Sequence, residues 1–273
     1  MAKNKVKIDD IIIGDDYLVF IGGPCVIENE KMILQTADGI KQICKRLNIP
    51  FIFKSSYDKA NRTSIKSYRG PGLKRGLEIL KKVKRELKIK LLIDVHCRTE
   101  VKPVSEITDI IQIPAFLCRQ TDLLITAAKT GKPVNVKKGQ FLSPESVFNI
   151  FEKLKAGGCK QMMITERGTT FGYGRLVVDM AGIPIMKKFG YPVVFDATHS
   201  AQMPSVGTKH TLGQREVIPS LVYAGIAAGA DALYMEVHPK PSKAKSDKET
   251  QWYLDKLEPL LEKAKKIFET VRR

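Results

Sequence analysis

The residues best suited to chemistry are concentrated in one segment near the start of the chain. An apolar run of strand type leads directly into Lys54, Lys59 and Arg62, with Asn61 and Thr63 beside the arginine. Ammonium, guanidinium, amide and hydroxyl groups are the donors that bind phosphates and carboxylates. The segment therefore predicts a site for a phosphorylated anion, although a basic surface loop would have the same composition.

Three further cations, Arg119, Lys137 and Arg167, follow other apolar runs later in the chain. A hydrogen bond to a charged group contributes about 1.5–3 kcal/mol net, so four or five of them would hold two small phosphorylated molecules. Each cation taken alone could instead form a salt bridge with a nearby acid. Because all of these cations follow a strand-type run, a single shared anion site is favoured over separate salt bridges.

A second set of residues could bind a metal ion. Cys25 follows the first strand-like run, His199 the seventh and Glu236 ends the eighth, with Asp247 in the segment beyond. Thiolate, imidazole and carboxylate ligands together suit Zn²⁺, Fe²⁺ or Mn²⁺ without selecting among them. Spacing alone also allows a buried thiol, a salt bridge within a barrel and a helix cap.

Two residues near the third strand-like run could handle protons. Asp94 ends that run and His96 follows two residues later, where it could transfer a proton or simply bond to the backbone. His238 precedes a proline, which favours a structural role. His210 lies in a glycine-containing stretch, 205–213, that we interpret as a mobile lid.

The elements that must position these residues alternate along the chain. Strand-type runs are predicted at 17–21, 51–54, 90–95, 109–113, 134–136, 161–165, 192–195 and 232–235. Amphipathic helices are predicted at 30–47, 73–88, 121–129, 144–154, 184–189, 216–228 and 251–271, with Ser143 as an N-cap.

This alternation predicts an α/β protein whose residues 1–273 form a single (β/α)8 TIM barrel. A short apolar patch, Ile11–Ile13, predicts an extra strand or hairpin that closes the barrel bottom. An open doubly wound sheet would also alternate, but it would need a glycine-rich phosphate fingerprint after its first strand, which the sequence lacks. Polar clusters follow nearly every strand, which is where barrel enzymes build their active sites.

Composition restricts the class of protein further. The 273 residues carry a net charge of +17, which raises the possibility of a basic protein that binds nucleic acid without catalysis. Much of that charge, however, lies on the polar faces of predicted helices, and no known RNA-binding motif is present. Five scattered cysteines without a leader segment predict reduced thiols in a cytoplasm. The longest charge-free run, 217–230, is too short to span a membrane.

Eight ordered motifs cover nearly the whole chain. They are GPC at 23–25, KSSYDKANRTS at 54–64, QIPAFLCRQTD at 112–122, NVKKGQ at 135–140, TERGTTFGY at 165–173, DATHS at 196–200, MEVHP at 235–239 and SD at 246–247. On these motifs the chain resembles the 3-deoxy-D-manno-octulosonate 8-phosphate synthases, (β/α)8 barrels that are usually homotetramers. These enzymes condense phosphoenolpyruvate with D-arabinose 5-phosphate to make a lipopolysaccharide precursor.

The resemblance implies a role for each matching residue. Phosphoenolpyruvate would be held by Lys54, Lys59, Gln112, Lys137 and Arg167. Arabinose 5-phosphate would be held by Asn61, Arg62, Thr63, Phe116 and, from a neighbouring subunit, Arg119. Catalysis would involve Lys59, Asp94, His96 and His199.

The resemblance also implies a metal. The family has a metal-dependent branch with cysteine after the first Gly-Pro and a metal-independent branch with asparagine there. Cys25 therefore indicates the metal-dependent branch, with His199, Glu236 and Asp247 as the other ligands of a zinc, iron or manganese ion. The nearest alternative is a 3-deoxy-D-arabino-heptulosonate 7-phosphate synthase, which uses erythrose 4-phosphate. Asn61 favours the longer sugar, because that relative lacks an asparagine in the matching stretch.

Overall fold

Eight parallel strands form a closed barrel in a computed structural model that describes residues 4–204 and 212–272. The strands are β1 Val19–Gly23, β2 Phe51–Lys54, β3 Lys90–Asp94, β4 Ile110–Ile113, β5 Val134–Lys137, β6 Met162–Glu166, β7 Val193–Asp196 and β8 Ala232–His238. Each strand pairs with the next in the chain, and β8 pairs with both β7 and β1 to complete the circle. The predicted (β/α)8 TIM barrel is confirmed.

Helices follow the strands and cover the outside of the barrel, except the short helix Ala197–Ser200, which lies at the carboxyl-terminal rim. They are α1 Glu30–Arg46, α2 Leu73–Leu87, α3 Arg98–Ser105, α4 Thr121–Ala128, α5 Val147–Ala156, α6 Gly182–Lys187, α7 Ala197–Ser200, α8 Ile218–Ala227 and α9 Leu257–Arg272. In α2, Leu77, Leu80 and Val83 are buried while the intervening lysines face outward, as the helical period requires. No helix within 4–204 or 212–272 has the length and apolar character to cross a bilayer.

The N-terminal segment closes the barrel bottom, as predicted. Strands Val6–Ile8 and Ile11–Ile13 form an antiparallel hairpin, with Ile8 paired to Ile11. Their buried side chains pack in one apolar cluster with inward-facing strand residues such as Ile21 and Ile52. This cluster seals the amino-terminal end of the barrel, so ligands must enter at the carboxyl-terminal end.

Three details of the predicted helices are wrong. Helix α3 was not predicted, because it is short and Pro103 interrupts its sequence pattern. Ser143 is not the N-cap of α5, which begins three residues later than predicted and follows Ser146. The C-terminal helix starts at Leu257, because the preceding Trp252–Tyr253 pairs with β8 as a short parallel strand.

Short strands extend the carboxyl-terminal rim. Thr169–Thr170 pairs antiparallel with Leu176–Val177 after β6, and Gln202–Met203 pairs with Leu212–Gly213 after α7. The second pair joins the two ends of the predicted lid. Most of that lid, residues 205–211 with His210, lies outside the described residues.

Candidate active site

A cavity of about 390 Å³ opens at the carboxyl-terminal rim. Its walls include thirteen of the residues that the sequence singled out, namely Lys54, Lys59, Asn61, Arg62, Thr63, Asp94, His96, Gln112, Phe116, Lys137, Arg167, His199 and Asp247. They come together because parallel strands end at the same edge of the sheet. The cavity is strongly cationic, with three lysines and two arginines along its walls.

Lys137 is held at the floor of the cavity by an anion and an aromatic ring. Its Nζ donates to Asp196 Oδ2 at 2.6 Å and lies 4.0 Å from the centroid of the Tyr234 ring. His199 Nδ1 lies 2.7 Å from the same carboxylate oxygen. Burial opposes ionisation of Asp196, but His199 and Lys137 hold its pKa below the ordinary value. Asp196 therefore fixes both side chains.

Two of the three side-chain nitrogens of Arg167 have no hydrogen-bond acceptor among the described residues. The residue is 4% exposed, and its Nη2 donates to Gln202 Oε1 at 2.7 Å. Its Nε and Nη1 are buried and have no hydrogen-bond partner among the described residues. Because a buried unpaired donor costs about 1–3 kcal/mol, such a guanidinium is suited to an anionic ligand.

Lys54 and Lys59 line the same cavity and lie close to Glu236. Lys59 Nζ lies 3.4 Å from Glu236 Oε1, and Lys54 Nζ lies 3.9 Å from the same oxygen. Lys54 also lies 3.8 Å from Asp94 Oδ1 and donates to Ser56 Oγ at 2.7 Å. Burial lowers the pKa of Lys54. The two lysines therefore bring positive charge into the interior against nearby carboxylates.

The wall beside Asp94 contains a histidine between two carboxylates. His96 Nε2 lies 3.4 Å from Asp94 Oδ2, and His96 Nδ1 lies 3.2 Å from Glu100 Oε2. Glu100 also accepts a hydrogen bond from the Tyr57 hydroxyl at 2.7 Å. Glu100 lies in the unpredicted helix α3 and was not among the predicted site residues.

Three of the four predicted metal ligands form a compact group. Ligand atoms of Cys25, Glu236 and Asp247 all lie within 4.8 Å of one another. His199 lies outside this group, although its Nε2 is 3.6 Å from Glu236 Oε1 and 3.8 Å from Asp247 Oδ2. Glu236 Oε2 is buried and has no hydrogen-bond partner among the described residues. A thiol, two carboxylates and a nearby imidazole therefore fit a divalent transition metal ion.

Arg62 lies against this group rather than apart from it. Its Nη1 donates to Asp247 Oδ1 at 3.0 Å, its Nη2 lies 3.8 Å from Cys25 Sγ, and it also contacts Ser246. Burial, with Asp247 and Glu236 nearby, raises the pKa of the Cys25 thiol to about 12. A cation at this point would favour the thiolate.

Phe116 and Arg119, two of the five residues predicted to bind the sugar, are both exposed but differ in position. Phe116 lines the cavity and is 54% exposed. Arg119 is exposed and is not among the residues lining the cavity. Its assignment to a neighbouring subunit stays a prediction.

Some residues that shape the site were missed for identifiable reasons. Asp196 ends β7 and could have been found by the same rule that found Asp94, since both are acidic residues at strand ends. Tyr234 lies in the middle of β8 among apolar residues, where its sequence position indicates only a core residue. Gln202, which lines the cavity, comes from a short rim strand that was not predicted.

Known proteins resemble this chain over nearly its full length. The sequence matches the DAHP synthetase I family over residues 2–273. It is 51% identical to the 2-dehydro-3-deoxyphosphooctonate aldolase of Desulfotalea psychrophila, covering 94% of this chain and 92% of that protein. Proteins of the same name from Fusobacterium nucleatum and a Cyanothece species are 50% and 52% identical, covering 98% and 96% of this chain and 97% and 96% of theirs.

Proposed function

The chain belongs to the DAHP synthetase I family, and we propose that it condenses phosphoenolpyruvate, D-arabinose 5-phosphate and water into 3-deoxy-D-manno-octulosonate 8-phosphate and phosphate. The observation that carries this proposal is the convergence of Lys59, Lys137 and Arg167 on one cavity. Two substrates that each bear a phosphate repel each other, and such a cationic enclosure offsets that repulsion.

Phosphoenolpyruvate is assigned to the deeper part of the cavity. Lys59, Lys137 and Arg167 would neutralise its phosphate and carboxylate, with Lys54 close by. Gln112 would contribute its amide donors, because its carbonyl oxygen already accepts from Asn135. The unpaired donors of Arg167 support this assignment, since they need an acceptor that the described protein groups do not supply.

Arabinose 5-phosphate is assigned to the outer part of the cavity. Asn61, Arg62 and Thr63 would bind it, with Phe116 beside it and Arg119 reaching in from another subunit of a homotetramer. In this arrangement the Arg62 side chain would leave its ion pair with Asp247 and bind the sugar phosphate instead. We also propose that the enzyme works in the cytoplasm.

The chemistry joins carbon three of phosphoenolpyruvate to the aldehyde carbon of the sugar. The aldehyde oxygen becomes a hydroxyl by taking a proton, which we assign to the wall formed by Asp94 and His96. Water then adds at carbon two and releases one proton, which balances the proton taken by the aldehyde oxygen. Cleavage of the C–O bond releases phosphate, which takes the second water proton as carbon two becomes the keto carbon. Lys59 and Lys137 would stabilise the charge that the departing phosphate carries.

Cys25, His199, Glu236 and Asp247 would hold a zinc, iron or manganese ion beside these substrates. Such an ion supplies Lewis acidity that orients an aldehyde or water and can lower the pKa of a bound water to about 7. The support is the compact group of three ligand atoms with His199 next to it. Elemental analysis of the purified protein, compared with the Cys25→Asn variant, tests metal binding independently of activity.

Phosphate release from phosphoenolpyruvate with each of two aldoses tests the reaction. We expect turnover with arabinose 5-phosphate and little with erythrose 4-phosphate. A preference for erythrose 4-phosphate would instead identify a 3-deoxy-D-arabino-heptulosonate 7-phosphate synthase. No release with either aldose, together with salt-sensitive binding to RNA or DNA, would favour the non-catalytic nucleic-acid-binding alternative.

A further inference from the structure

His96 has a carboxylate oxygen next to each of its two ring nitrogens. Nε2 lies 3.4 Å from Asp94 Oδ2 at the cavity wall, and Nδ1 lies 3.2 Å from Glu100 Oε2 on the far side of the ring. Both are ion-pair distances rather than aligned hydrogen bonds, and Nδ1 has no hydrogen-bond partner among the described residues. Two carboxylates at this range stabilise a positively charged ring, so they favour the imidazolium over the neutral imidazole.

We propose that Glu100 is a positioning residue that keeps His96 doubly protonated and turned so that Nε2–H faces Asp94 and the substrate cavity. The proposal depends on the proposed function only for the identity of the ligand. The charge state of His96 follows from the protein groups around it and can be measured without any substrate.

Glu100 is itself held firmly enough to perform this role. Its Oε2 accepts from the Tyr57 hydroxyl at 2.7 Å and from the His96 backbone N–H at 2.6 Å. Tyr57 is fully buried, and its ring meets the His96 ring edge to face at 5.4 Å between centroids. The carboxylate, the phenol and the imidazole therefore form one packed unit behind the cavity wall.

The charges around the ring favour the imidazolium. Asp94 on β3 and Glu100 on α3 lie next to the ring, and Tyr57, from the segment after β2, packs against it. The other charged or titratable groups nearby act on these three residues: Lys54 and Lys59 on Asp94, Arg69 on Glu100 and Cys97 on Tyr57. Burial opposes protonation, but the two adjacent carboxylates raise the pKa of His96 to about 9. Lys54 Nζ lies 3.8 Å from Asp94 Oδ1 and therefore competes with His96 for that carboxylate. Within 4–204 and 212–272, no lysine or arginine forms an ion pair with Glu100, whose Oε2 lies 3.2 Å from His96 Nδ1.

The test is a histidine titration by NMR with and without the Glu100 charge. The chain has four histidines, and His96→Gln identifies the His96 resonance by its loss. Glu100→Gln keeps acceptors for Tyr57 and the backbone but removes the charge. Glu106→Gln, which changes an exposed glutamate just beyond the same helix, is the matched control.

We expect the pKa of His96 to lie near 9 in the unaltered protein and to fall by roughly 1–2 units in Glu100→Gln. Glu106→Gln should leave it unchanged. The alkaline pKa in the pH profile of phosphate release should fall by the same amount. A purely structural role for Glu100 would instead lower the folded fraction and leave both the pKa of His96 and the pH profile unchanged.

Two results would overturn the proposal. One is a pKa at or below the ordinary 6.5 in the unaltered protein, which decides the question even if Glu100→Gln does not fold. The other is an unchanged pKa in a folded Glu100→Gln protein. Absence of phosphate release would refute the proposed reaction but leave this titration intact.

Discussion

Lys137 and Lys138 are adjacent buried lysines that differ in what they face. Lys137 Nζ enters the cavity beside Asp196, whereas Lys138 Nζ lies in the barrel wall, 3.0 Å from Thr169 Oγ1 and 3.5 Å from Glu166 Oε2. The change of either lysine to methionine keeps most of the volume and removes one charge. We expect only Lys137→Met to lose activity specifically.

The expected losses of activity and of stability follow from the contacts of the two lysines. Loss of one charge-assisted hydrogen bond to an anionic substrate costs about 1.5–3 kcal/mol, or about 10-fold to 150-fold in kcat/KM. Asp196 would keep donors from Thr198 Oγ1 at 3.1 Å and the His199 backbone N–H at 3.0 Å, so the stability cost in Lys137→Met should stay near 1–3 kcal/mol, by an order-of-magnitude estimate. Lys138→Met leaves Glu166 without its nearby lysine and should cost at least as much stability.

Steady-state phosphate release and urea unfolding, measured on the same preparations, separate the two effects. We expect Lys137→Met to raise KM for phosphoenolpyruvate or lower kcat, and Lys138→Met to keep kcat/KM within about threefold per folded molecule, a change of less than 1 kcal/mol. Equal losses of kcat/KM in both variants, or none in Lys137→Met, would refute the assignment of Lys137 to the substrate.

Gly76→Ala should destabilise the protein by about 1–3 kcal/mol, because the new methyl group would lie 2.3 Å from Tyr57 Cβ. Gly39→Ala is the control and should destabilise it less, because its methyl group meets only the flexible end of the Leu254 side chain. Thermal unfolding of the two variants measures the difference. His96, whose pKa is raised from 6.5 to about 9, contributes stability that is complete below 6.5 and is lost as pH rises through 9. Urea unfolding should therefore show that the free energy of unfolding falls by an amount on the order of 1–3 kcal/mol over that pH range. In His96→Gln the free energy of unfolding should not change over the same range, which would show that the loss comes from His96. Chelation should abolish phosphate release and an added divalent ion should restore it; full activity after exhaustive metal removal would contradict the metal assignment.

The barrel could be predicted because its pattern is local. Eight buried runs end in polar residues, and parallel pairing then places those residues at one rim without further information. In β5, strand alternation also distinguishes Lys137 from Lys138, since residues 135 and 137 share the inward face. The cationic cavity therefore follows from strand order and period.

The remaining features depend on contacts between distant segments. Glu100 reaches His96 only because α3 begins immediately after β3, and its short sequence gave no helical period. Arg62 bonds to Asp247, 185 residues away, through loop conformations that local sequence does not determine. Asp196 lies 2.7 Å from His199 Nδ1 and leaves Nε2 near Glu236 and Asp247, a contact that strand positions alone could not reveal.

A crystal structure with phosphoenolpyruvate and arabinose 5-phosphate both bound tests the central claim most directly. We expect the carboxylate and phosphate of phosphoenolpyruvate within about 2.7–3.2 Å of Lys137 and Arg167, and the sugar phosphate next to Arg62. The two reacting carbons should lie about 3–3.5 Å apart in the same cavity. Density for either substrate elsewhere on the molecule, with Lys137 and Arg167 free of ligand, would contradict the account.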